Sequence, residues 1–179
     1  MSILSVYDQS RPEQPNKVLT YLEDIVSTLA TVGVRVERWA ASAPLQADAG
    51  QDDVMAAYRA DLDRLIAQGG YGKAEMFAVD RDTPEQDALR ARLLQERRYA
   101  EDKAFFFVAG SGLFNLHIGD AVYALLCEKN DLLVVPAGTA HWFDMGENPY
   151  FMTLRMFNNA EDGTPTGDDI ASRFPGFEN

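Results

Sequence analysis

The first segment with chemical meaning is Pro136-Ala137-Gly138-Thr139-Ala140-His141. A Pro-x-Gly turn reverses the chain and sets a histidine at a defined place just beyond it. An imidazole held there can act as base, proton donor or metal ligand. Arg155 interrupts the apolar run YFMTLRMF, which ends at Phe157. A guanidinium inside such a run is either ion-paired or placed to hold an anion, and anion binding is the expectation for Arg155. His117 lies in LFNLHIGD and reads as a structural or surface histidine. Cys127, the only cysteine, ends the apolar run YALLC and reads as an inert core thiol. A lone cysteine excludes internal disulfides and a Cys-rich zinc site.

Elements that could position these groups follow from periodicity. Ser2 to Tyr7 reads as a strand. Between Lys17 and Thr31 the apolar residues Val18, Leu19, Leu22, Ile25, Val26 and Leu29 predict one amphipathic helix, stopped at Gly33. Val34 to Trp39 alternates like a strand. Val54, Met55, Tyr58, Leu62, Leu65 and Ile66 predict a second helix, closed by Gly69 and Gly70. Ala74 to Val79 suits a strand. Thr83, Pro84 and Gln86 predict a capping box opening a helix that runs to about Leu94.

From there the period changes. Phe105 to Val108, Leu113 to Ile118, Val122 to Cys127, Leu132 to Val135 and Phe151 to Phe157 are strand-like runs separated by Gly, Asp, Asn and Pro. Gly119-Asp120 reads as a hairpin turn. Helices first and evenly spaced strands later predict an α+β chain with an antiparallel barrel in its second half. One domain is expected over residues 1–179, with a helical part to about residue 95, a barrel over about 96–157 and a polar tail from Asn158 with a short helix near Asp168 to Arg173. Glu161, Asp162, Asp168 and Asp169 read as a solvated part of that tail.

The net charge of −12 would repel phosphate backbones, so nucleic acid is not an expected partner. No apolar run reaches the roughly 20 residues that span a bilayer. The N-terminus lacks the basic flank and apolar stretch of a signal peptide. A cytoplasmic protein is expected, with no membrane partner.

The pattern P-x-G-x-x-H resembles the second motif of cupins, small β-barrels in which that histidine binds a metal. The first motif of that superfamily, H-x-H, three residues, E, six residues, G, can be anchored on Gly110. Its glutamate position then falls on Lys103 and its histidine positions on Tyr99 and Arg97. The longer segment AFFFVAGSGLFNLHIGDAVYALLCEKNDLLVVPAGTAHWFDMG is similar to the core of bacterial acireductone dioxygenases. VGVRVERW, ALRARLLQE and TGDDIASRFP also match that family, with a slightly shortened stretch from Ala160 to Thr166.

The resemblance implies a cupin β-barrel, a monomer, and Fe(II) or Ni(II) held by three histidines and a glutamate for O2-dependent cleavage of an acireductone in methionine salvage. Carried over by position, those ligands fall on Arg97, Tyr99, Lys103 and His141, of which only His141 is kept. A substrate-binding arginine falls on Phe105. Arg155 and Phe143 match pocket positions that are kept, and an entrance phenylalanine falls on Leu93.

Arg has no lone pair to donate, and Lys is a cation unless strongly desolvated. Tyr is a weak ligand at neutral pH. No bound metal is therefore expected, with His141 its one ligand if a metal binds at all. The expected catalytic groups are Tyr99, Lys103 and His141, with Arg97, Arg155, Phe105, Phe143 and Leu93 binding a small anionic or enolisable molecule. Glu96, Glu101 and Asp102 are candidate internal counter-charges for the cations. The leading expectation is a metal-independent isomerase, lyase or hydrolase of a specialised biosynthetic pathway. An acireductone dioxygenase with an atypical metal site, and a non-catalytic binding protein, stand beside it.

Overall fold

A computed structural model describes residues 1–159 and 162–179; Ala160 and Glu161, the latter among the acids assigned above to the tail, lie outside the described residues. The chain opens with β1 (Ile3–Asp8) and β2 (Lys17–Leu19), an antiparallel pair. Helix α1 (Leu22–Ala30) buries Ile25 and Leu29 and ends before Gly33, whose φ of +79° suits glycine. β3 (Arg35–Arg38) follows, then α2 (Gln51–Ala57) and α3 (Arg59–Gly69). β4 (Lys73–Val79) and α4 (Gln86–Leu93) complete the first half.

The second half is almost entirely strand. It comprises β5 (Arg97–Arg98), β6 (Lys103–Ile118), β7 (Ala121–Glu128), β8 (Asp131–Val135), β9 (Ala140–Asp144), β10 (Phe151–Phe157) and β11 (Thr164–Pro165). A 3-10 turn over Ile170–Arg173 follows. This is the α+β, antiparallel arrangement expected, and β6 is its spine. β6 pairs with β7 and β9 toward one end and with β8 and β10 toward the other. β1, β3 and β4 extend the sheets, so the first half of the chain builds barrel wall as well as helices.

Alternation along β6 sorts its side chains into two cores. Phe105, Phe107 and Phe114 point inward with Leu4, Leu116, Phe143 and Phe151. Ala104, Phe106 and Val108 point outward, where Trp39, Tyr58, Leu62 and Leu65 cover them. A strand buried on both faces needs apolar residues at nearly every position, which is why AFFFV is continuous rather than alternating. β10 obeys the same parity. Leu154 and Met156 join the outer core, while Phe151, Thr153 and Arg155 look into the barrel.

Several elements differ from the sequence reading. Lys17 to Leu19 is a strand on β1 rather than the first turn of a helix. The second helix is broken at Tyr58, whose hydroxyl bonds Asn130 at 2.9 Å. The capping box does not form. Thr83 Oγ1 accepts from the Asp80 amide, Gln86 Nε2 donates to the Asp80 carbonyl, and Glu85 is the cap in a left-handed conformation. The runs on either side of Gly110 are one strand. At Gly110, φ is +72° and a Cβ would stand 2.0 Å from the Tyr150 carbonyl oxygen, so glycine is required to let β6 bend past that chain.

Candidate functional site

A cavity with about 830 Å3 of empty space, open mouth included, enters the barrel between α4, β4, β6, β9 and β10. All eight site residues expected from the sequence line it: Leu93, Arg97, Tyr99, Lys103, Phe105, His141, Phe143 and Arg155. They reach it by different routes. β9 pairs with β6 on one side, placing His141 opposite Leu116, and with β5 on the other, placing His141 opposite Arg97. Lys103 and Phe105 share the inward face of β6, and Phe105 stands directly across from Arg155 of β10.

The four positions of the metal motif do converge. The Tyr99 and His141 rings lie 5.3 Å apart, and Lys103 Nζ sits 3.9 Å from the Tyr99 ring centroid. Gly163 has φ +73°, and a Cβ there would come within 2.9 Å of Tyr99, so the segment before β11 packs closely against the phenol ring. Arg97 donates to the Gln95 side-chain oxygen at 2.6 Å and to the Asp162 carbonyl at 3.0 Å.

His141 Nδ1 lies 2.9 Å from the Thr139 carbonyl, which can only accept. The proton is therefore on Nδ1, and Nε2 keeps the lone pair. Burial pushes this histidine below its ordinary pKa, outweighing the Thr139 carbonyl, and the Lys103 charge pushes the same way. It is a neutral imidazole with one basic nitrogen. Burial raises the Tyr99 phenol above its ordinary value, with Arg97 opposing. Tyr99 is therefore a proton donor at neutral pH and not a phenolate.

The expected counter-charges are engaged elsewhere. Glu96 is buried and accepts from Thr166 Oγ1 at 2.7 Å while facing His117 Nδ1 at 2.8 Å. Glu101 accepts from Asn159, and Asp102 from the Ala137 amide. Each accepts from a donor that residue type could not reveal. Arg155 instead bonds Glu75 at 2.9 Å and lies 4.7 Å over the Phe77 ring. Among the described residues its Nε is a buried donor with no acceptor. His117 is structural, held between Glu96 and Gln9, and Cys127 is fully buried with its thiol pushed well up by desolvation.

Sequence reasoning missed the aromatic floor. Phe77, Phe107, Phe114 and Phe151 line the cavity beside Phe105 and Phe143. Gly112 makes room for this packing, because a Cβ there would stand 2.2 Å from the Phe143 ring. Inward parity on β4, β6 and β10 was the signal that could have found them.

An antiparallel double-sided barrel with an aromatic pocket around a P-x-G-x-x-H histidine defines a cupin. The sequence profile of the ARD/ARD' family matches residues 3–165. Acireductone dioxygenase of Stutzerimonas stutzeri is 62% identical over 98% of both chains. That of Pseudomonas paraeruginosa is 57% identical over 99% of both. Among solved structures, an acireductone dioxygenase from Bacillus anthracis with a cadmium ion in its active centre is similar at a TM-score of 0.77, with 20% identity over 90% of this chain and 95% of that one. The chain belongs to the ARD/ARD' family.

Two expectations are thereby corrected. Full-length relatives at 57–62% identity are named dioxygenases, which overturns the isomerase, lyase or hydrolase reading. The same names, with the metal ion described in the Bacillus anthracis protein, stand against an expectation of no cofactor. Replacement of metal ligands by Arg, Tyr and Lys removes ordinary donors but does not by residue type alone remove the reaction.

The donors present nonetheless do not fit a metal held by several protein side chains. His141 Nε2 is one conventional donor, Tyr99 is a protonated phenol, and Arg97 has no lone pair. Among the described residues no three His, Cys, Asp or Glu side chains are grouped to hold an ion.

Proposed function

We propose that this chain acts on an acireductone as a dioxygenase, through an atypical centre around His141. The observation that carries the reading is full-length identity of 62% and 57% to proteins of that name. It is supported by a pocket whose groups suit an enediol that ionises. The donor set does not fit an ordinary metal site.

The chain's own residues supply four things. Arg155 offers a buried N–H without an acceptor among the described residues, and Arg97 lines the same cavity with a second guanidinium. A charge-assisted hydrogen bond of this kind contributes about 1.5–3 kcal/mol. His141 Nε2 can take the proton of an enediol hydroxyl, its unshared pair being fixed by the Thr139 contact. The Tyr99 hydroxyl, kept protonated by burial, can donate to a developing oxyanion. The aromatic floor offers no competing hydrogen-bond partner on its side of the pocket, and its low polarity strengthens each of these interactions.

The test is oxygen uptake on adding acireductone to protein supplied with Fe(II) or Ni(II), with metal content measured on the same sample. Uptake above the protein-free rate, lost in His141→Ala, is the expected result. Uptake equal to the protein-free rate with either metal overturns the reading.

A further inference from the structure

The inner half of the cavity is a wall of rings. Phe114 lies 4.8 Å from Phe105 and 4.7 Å from Phe143, and Phe151 continues the series 5.3 Å from Phe143 and 5.6 Å from Phe77. Each pair is tilted or edge-on, the arrangements that ring quadrupoles favour. Within this wall Phe107, Phe114 and Phe151 are buried, whereas Phe77 and Phe105 are only partly buried and turn ring surface to the void. Phe105 faces Arg155 across the β6–β10 ladder, and the Arg155 guanidinium lies on Phe77. A cation whose buried Nε has no acceptor among the described residues thus stands at the border of an aromatic surface.

A ligand that satisfies both has an anionic oxygen at one end and a flat apolar group a few bonds away. A thin alkyl substituent would leave most of the Phe77 and Phe105 surface uncovered, whereas a planar ring adds one more tilted contact to the series. We infer that the pocket selects acireductones whose carbon substituent carries an aromatic ring, with Phe105 as the specificity-determining residue. The inference rests on the dioxygenase reading and narrows its substrate.

Two comparisons test it. In the first, kcat/KM is measured for acireductones bearing a benzyl or a cyclohexylmethyl substituent, which match in size and differ in aromaticity. In the second, calorimetry compares 3-phenylpropanoate with 3-cyclohexylpropanoate, unreactive probes of the pocket alone. A preference for the aromatic partner of about fivefold is expected in both, the range that one added ring contact gives. Phe105→Tyr should keep the preference and Phe105→Leu should remove most of it. Oxygen uptake from both acireductones with no aromatic preference in either comparison overturns the inference and leaves the dioxygenase reading standing. Ring-selective binding of the probes with no uptake from either acireductone overturns the dioxygenase reading, and the substrate assignment with it, leaving only a pocket that prefers aromatic rings.

Discussion

The floor of the cavity and its mouth are built on different physics. Phe107, Phe114, Phe143 and Phe151 are nearly inaccessible, interlocked with one another and backed by Leu4, Leu116 and Val135. Arg97, Tyr99 and Lys103, by contrast, sit on two-residue β5, on the loop after it and at the first residue of β6. The floor holds its shape through apolar contact, which tolerates little change in volume. The mouth holds its shape through polar contacts that can be exchanged without disturbing the barrel. Residue types could therefore change at the motif positions while the frame around them stayed recognisable.

Mutations can break or sharpen this contrast. The largest effect is expected in the floor. Phe107→Ala removes a fully buried ring and should cost about 3–5 kcal/mol in denaturant unfolding.

Next comes the carboxylate that closes the strand carrying His141. Asp144 ends β9, is buried, and accepts from Arg90 at 2.9 and 3.2 Å and from the Gly146 and Phe177 amides. Burial alone would raise its pKa, but these bonds win and hold it below the usual carboxylate range. A depressed carboxylate contributes stability that is complete above its unfolded pKa, about 3.9, and is lost as pH falls through the lower folded value. Arg90→Met should cost about 2 kcal/mol at pH 7, since Arg90 is itself partly exposed, and should flatten the acid limb of a stability–pH curve.

Gly112→Ala should cost about 1–3 kcal/mol by driving a methyl into the Phe143 ring. It should also weaken pocket binding from outside the pocket. The smallest effect on folding belongs to the mouth. Arg97→Gln should change stability by less than about 0.5 kcal/mol yet weaken 3-phenylpropanoate binding, with a shallower dependence on salt.

Much of this fold could be read from the chain. β1, β3, β4, β7, β8 and β10 coincide with apolar or alternating runs, because each has at least one face against a core. β9 escaped notice because AHWFD is buried at every position and shows no alternation. The helix expected from Lys17 began too early, because Val18 and Leu19 fit a helical face as well as a short strand. Gly110 suggested an interruption, whereas it lets one long strand bend past Tyr150.

The site was legible by spacing. Stepping back from Gly110 reached three residues that do meet His141 around one cavity. The partners of the cations were less legible, since Glu75 reaches Arg155 from β4 and the Asp162 carbonyl reaches Arg97 from a loop far along the chain. The aromatic floor was hidden in runs that read as ordinary core.

The most direct measurement follows the oxygen atoms. Acireductone is turned over under 18O2 by protein carrying added Fe(II) or Ni(II), and the products are weighed by mass spectrometry against a protein-free control. The account predicts that both atoms of one O2 enter the products, at a rate that His141→Ala lowers to that of the control. Products free of label, or label appearing no faster than without protein, would contradict it.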